Sequence, residues 1–97
     1  MKLRYSPRAL GDLAAISDYL IERSPAGARA VEETIRTTVR MLEQFPSGGR
    51  ALQQRPDVRV VPTPRFPFLI FYTTGADELV ILHIRHAARA PLTTDDL

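Results

Sequence analysis

Residues 79–91 read LVILHIRHAARAP and hold both histidines of the 97-residue chain. His83, Arg85, His86 and Arg89 fall within seven consecutive positions. Imidazole exchanges protons near neutral pH, and guanidinium grips phosphate or carboxylate through a planar fork. Together they suit two tasks. One is acid–base chemistry on a phosphodiester, which needs a base for the 2′-hydroxyl, cations on the phosphate and an acid for the leaving oxygen. The other is a rim that binds an anionic surface without breaking a bond.

The residues around the histidines have strand character, and strand alternation divides them. Val80, Leu82, Ile84 and His86 would face one way, and Ile81, His83 and Arg85 the other. His86 then continues the apolar row, equally suited to a core position and to a contact. His83 and Arg85 are expected on an open face of the sheet, with Arg89 past the strand and free to reach a target. Two histidines three apart on a strand point to opposite sides, so neither zinc nor any other metal is expected. Upstream, Pro64 and Pro67 bracket Arg65 and Phe66 and would hold Arg65 stiffly. Phe66, Phe68, Phe71 and Tyr72 could stack bases, but core packing is the favoured reading. Among acid–base candidates, His86 could act as acid with Glu43 or His83 as base.

Elements must position these groups. Ser6-Pro7 and Ser24-Pro25 both have the form of a helix start, with serine as N-cap and proline at N1. After the first, Leu10, Leu13, Ile16 or Ser17, and Leu20 give an apolar stripe over about 7–23. After the second, Ala28, Val31, Ile35, Val39, Leu42 and Phe45 give another over about 25–45. A helical hairpin over about 7–45 follows. FPSGGR (45–50) ends it, and an irregular loop is expected from there to QQRPD. The period then changes to two, with strands at about 58–62, 68–74 and 78–86, the last two joined by TGAD. LRY supplies a short first strand, about 2–5. The tail, 90–97, is expected to be loose.

The order β-α-α-β-β-β makes an α+β domain spanning 1–97. Its N-terminal helical hairpin packs on one face of a mainly antiparallel sheet, leaving the other face open.

Composition narrows the classes. Hydrophobic residues make up 44% of the chain and charged ones 25%, as in ordinary globular proteins. No run is long and apolar enough for a membrane span, MKLRYSP lacks the apolar core of a signal peptide, and there is no cysteine. A cytoplasmic protein, not membrane-associated, is expected. The net charge of +2 is a weak argument for nucleic acid. All but one of the thirteen basic residues are arginine, a bias that GC-rich genomes also produce. Arg50, Arg55, Arg59 and Arg65, against Asp57 alone, concentrate positive charge in the second half.

Four segments, in order, resemble the ParE branch of the RelE/ParE toxins: YSPRALGDLAAISDYLIERSP, MLEQFPSGGR, RFPFLIFY and ILHIRHAAR. These are the toxin halves of bacterial type II toxin–antitoxin pairs, associated with plasmid stabilisation. The resemblance covers about 3–90. It implies a toxin that poisons DNA gyrase, is not an enzyme, needs no cofactor, and is neutralised by a ParD-like antitoxin in a hetero-oligomer. DNA contact by that complex would come mainly through the antitoxin. RelE-like members are instead ribosome-dependent ribonucleases. They use lysines, arginines and a C-terminal tyrosine, or a glutamate with a histidine and an aromatic. Here the lysine cluster is missing and no aromatic follows Tyr72, which favours the ParE reading. Catalytic residues are therefore not assigned, and Arg65, Arg85, His86 and Arg89 are the candidate target contacts. The ribonuclease and a non-toxic member that only binds its antitoxin are the alternatives. The ParE ending commonly runs Arg-x-x-His-x-x-Arg and then an acid. Here His83 stands in the first arginine place, Arg85 in an apolar one and Ala90 in the acidic one.

Overall fold

The computed structural model describes residues 1–88, so Arg89 and the tail 90–97 lie outside the described residues. The elements are β1 (Lys2–Tyr5), α1 (Pro7–Arg23), α2 (Pro25–Gln44), β2 (Arg50–Ala51), β3 (Arg59–Pro62), β4 (Phe68–Thr74) and β5 (Glu78–His86). The fold is α+β, a two-helix hairpin and a mixed five-stranded sheet in the order β1-β5-β4-β3-β2. β1 runs parallel to β5, and every other pairing is antiparallel. Among the described residues, no helix is long and apolar enough to cross a membrane.

Both serines cap as their sequence context requires. Ser6 Oγ accepts from Ala9 N–H at 3.0 Å, and Ser24 Oγ accepts from Gly27 N–H at 3.0 Å. Ser24 also ends α1, donating its own N–H to Leu20 O at 2.7 Å. A single residue thus closes one helix and opens the next, which makes the hairpin tight.

α2 buries the stripe read from its spacing: Ala28, Val31, Ile35, Val39 and Leu42. Burying each of the larger ones contributes about 1.5–3 kcal/mol. Two expected members of the stripes are exposed. Phe45 is the C-cap of α2 and leaves the core, and Leu10 gives way to Ala9, so that Ala9, Leu13, Ile16 and Leu20 form the inner row of α1. The helices cover a sheet face built from Val61, Phe68, Ile70, Tyr72, Leu79, Ile81 and Ile84.

The opposite face is not bare, contrary to the expectation of an open sheet surface. Val58, Val60 and Phe71 form a second buried cluster there, joined by Leu52, Leu69 and Leu82. The loop that follows β2 closes over it, with Leu52 N–H donating to Val58 O and Thr73 Oγ1 donating to Asp57 O, both at 2.9 Å.

β5 does not alternate simply. Phe71 pairs with His83 while the next residue, Tyr72, pairs with Ile81, so Leu82 is an extra residue in β5. This β-bulge inverts the side-chain parity of everything after it. Ile81 and Ile84 share the helix-covered face, whereas Leu82 and His83 both go with Phe71. The expected row of Val80, Leu82, Ile84 and His86 is therefore broken in the middle.

Candidate functional site

The β3–β4 turn and the C-terminal end of β5 meet at one end of the sheet. Ala87 N–H donates to Pro67 O at 2.7 Å. Phe68 and His86, paired across β4 and β5, touch edge to face with ring centroids 5.5 Å apart. This end brings two candidate contacts to the surface, Arg65 and His86, both exposed.

His86 sits past the bulge, on the side of Phe68. Its Nδ1 accepts from Ala88 N–H at 3.0 Å. A neutral imidazole with an accepting Nδ1 carries its proton on Nε2. The outward nitrogen is thus a hydrogen-bond donor and not a base.

Arg65 occupies the β3–β4 turn with φ 73°, the left-handed region. Its guanidinium carbon lies 5.6 Å from the centroid of the Phe66 ring. The segment bracketed by Pro64 and Pro67 forms two three-residue turns. Phe66 N–H donates to Pro64 O, and Phe68 N–H to Phe66 O, both at 2.9 Å.

His83 and Arg85 correct the expectation of an open face. His83 is 1% exposed and Arg85 8%. His83 stacks on Phe71 at 5.8 Å, and its Nδ1 lies 2.6 Å from Asp12 Oδ2. The same carboxylate oxygen accepts Ile84 N–H at 2.9 Å. The accepting carboxylate places the His83 proton on Nδ1, and the buried Nε2 has no partner. Arg85 pairs with Leu69 across the strands and is engaged within the fold, so it is not a freely projecting rim residue.

Asp12 was not singled out from the sequence. It stands beside the inner row of α1, and an acid bordering an apolar stripe is the signal that marks it. β1 ends opposite Ile81, leaving the outer edge of β5 without a strand. Ser6 and Asp12 replace it, Ser6 Oγ donating to Leu82 O at 2.8 Å while Asp12 takes Ile84 N–H.

Between α1, α2 and this end of the sheet lies a cleft of about 550 Å³, walled largely by apolar groups such as Ile16, Tyr19, Val31, Phe66 and Phe68. His86, Arg85 and Asp12 add the polar part of its wall. The basic 50–65 stretch is less uniform than its composition implies. Arg55 pairs with Asp57 at 3.0 Å and holds that carboxyl below the usual range. Arg59 Nη1 donates to Gly49 O at 2.7 Å, so Arg50 and Arg65 are the exposed arginines of that stretch.

The acid–base candidates do not converge. His83 is enclosed with Asp12. Glu43 lies ten residues along α2 from Glu33, which borders Arg65, a displacement of about 15 Å along a helix. Glu43 instead acts on Tyr5. Among the described residues no group of three or more histidines or acids could hold a metal ion.

Comparisons with known proteins agree with this architecture. Residues 3–91 match the family model for the ParE toxin of the type II toxin–antitoxin system parDE. The chain is 42% identical over 83 residues to a Caulobacter vibrioides protein named Toxin RelE2, covering 84% of this chain and 90% of that protein. It superposes on a chain of the chromosomal ParDE TA system from P. aeruginosa with a TM-score of 0.76 and 28% identity, over 89% of this chain and 95% of that one. With a family match across nearly its full length, and with the helical hairpin and five-stranded sheet that the solved relative shares, this chain belongs to the ParE toxin family of type II toxin–antitoxin systems.

Proposed function

We propose that this toxin acts in the cytoplasm by inhibiting DNA gyrase, and that a ParD-like antitoxin neutralises it. The observation that carries the first part is His86. With Nδ1 occupied by Ala88 N–H, the ring offers its target a donor. Arg65 adds an exposed guanidinium at the same end of the sheet. Such a rim grips carboxylate or phosphate oxygens and has little means of activating a 2′-hydroxyl. Arg89, outside the described residues, belongs to the same proposed rim on sequence grounds, and Arg85 would act from the cleft wall.

The antitoxin part rests on the cleft. An apolar trough beside a helical hairpin, with Tyr19 exposed on its border, suits an amphipathic or extended segment of a partner chain. Positive charge at Arg50 and Arg65 would favour an acidic segment. In a complex of this kind, contact with DNA would fall mainly to the antitoxin.

Induced expression in a bacterial host tests the reading. Growth arrest with DNA damage and intact message is expected. Arrest with cleaved ribosome-bound message would establish the ribonuclease instead, and harmless induction with antitoxin binding preserved would mark a non-toxic member.

A further inference from the structure

Arg65 is the only non-glycine residue with positive φ among the described residues. It is the centre of a three-residue turn closed by the 2.9 Å bond from Phe66 N–H to Pro64 O. An L-residue is strained there, and glycine would adopt the same backbone without that penalty. Strain of this kind persists only where the surroundings over-determine it, and it concentrates at functional positions.

The surroundings here are specific. Thr63 N–H donates to Phe68 O at 2.9 Å and closes the base of the turn. Thr63 is itself 6% exposed, and its hydroxyl donates to Phe66 O at 2.7 Å, with Phe68 O a longer second acceptor at 3.4 Å. Phe66 packs against the main core, and Pro67 O is held by Ala87 N–H. The peptides on either side of Arg65 are thus tied down, and Arg65 faces solvent while keeping the unfavourable torsion.

We infer that Thr63 is a positioning residue for Arg65. Its buried hydroxyl holds the Phe66 carbonyl so that the turn cannot relax, and the left-handed Arg65 is kept aimed at an anionic oxygen of the target, carboxylate or phosphate. The inference deepens the target-binding reading above and rests on it for the role of Arg65.

A melting-temperature cycle tests the turn without any target. R65G is expected to melt above R65A by roughly 4–8 °C, the reverse of the usual order of these residues in regular structure. That gap should shrink by at least half in the T63V background and persist with T63S. T63A serves if T63V does not fold. A gap that is absent, or that T63V and T63A leave unchanged, overturns the inference. Supercoiling by DNA gyrase holoenzyme supplies the second readout. T63V should need about tenfold more protein for the same inhibition, T63S should match the parent, and T63V should add no loss to R65A. Full potency in T63V, or a further loss on R65A, overturns the positioning role. If the parent protein leaves gyrase untouched, the gyrase reading fails while the melting cycle still decides the turn.

Discussion

His83 and His86 lie three positions apart on one strand, and their surroundings give them opposite tasks. Asp12 turns His83 inward as a proton-bearing clamp, with one carboxylate oxygen taking both His83 Nδ1 and Ile84 N–H. Asp12→Ala leaves two buried donors unpaired, at about 1–3 kcal/mol each. Urea denaturation should therefore show a loss of about 2–6 kcal/mol, and a loss below about 1 kcal/mol would show the clamp to be incidental. Asp12→Asn, which keeps one acceptor but loses the charge, should fall between. Tyr5 gives a pH dependence. Burial pushes its phenol above the ordinary value of 10, Glu43 adds to the rise, and Arg36 partly offsets it. A raised folded-state value means that the fold holds this proton more tightly than the unfolded chain does. The resulting stabilisation is complete below about pH 10 and is lost as pH climbs through the higher folded value. Urea midpoints should thus fall more steeply above pH 10 in the parent than in Tyr5→Phe; parallel curves would count against it. Residue types alone put Arg65 at the surface and left His86 open between core and contact; the structure exposes both. They could not reveal the burial of His83 and Arg85, because that depends on a helix carboxylate some seventy positions away and on a loop folded over the second face.

At the level of elements, boundaries were the most legible feature. The Ser-Pro pairs mark both helix starts because cap chemistry is local, and Phe68–Thr74 and Glu78–His86 coincide with the strands read from period-two alternation. The bulge at Leu82 was not legible, since an inserted residue leaves composition and hydrophobicity unchanged and appears only in the pairing register. Its effect is large: one residue decides whether Ile84 and His86 share the helix-covered face with Ile81 or fall on the opposite one. β2 is likewise illegible in the sequence, because two residues are too short to show a period. What holds that region is a knot of polar bonds. Tyr72 Oη donates to Pro46 O and accepts Gly49 N–H, both at 2.8 Å, while Arg59 holds Gly49 O. A Cβ on Gly49 would stand 2.6 Å from Tyr72 Oη and 2.9 Å from Val60 O, so neither neighbour leaves room. Gly49→Ala should cost about 1–3 kcal/mol, and Tyr72→Phe a similar amount through unpaired backbone groups. Each should lower the melting temperature by at least about 4 °C, and an unchanged value in either would contradict the knot.

For the whole molecule, the alternation of two amphipathic helices with β-branched strands was enough to specify the layers. It was not enough to specify the order of the sheet. That β1 runs parallel to β5 depends on a connection through the entire hairpin, which no local pattern encodes. The same connection explains why the site lies where it does. β1 stops opposite Ile81, α1 continues along the vacated edge, and the cleft opens between that helix and the sheet end bearing Arg65 and His86. On the proposed reading the arrangement holds a partner, with donors at the rim and the acid–base candidates dispersed. The direct test is to titrate the purified protein into a supercoiling reaction run by DNA gyrase. Supercoiling should stop at saturating protein, and Arg65→Ala and His86→Ala should each require roughly tenfold more, equivalent to about 1.4 kcal/mol of binding. Gyrase that keeps supercoiling at saturating protein, while ribosome-bound message is cut by the same preparation, would contradict the account.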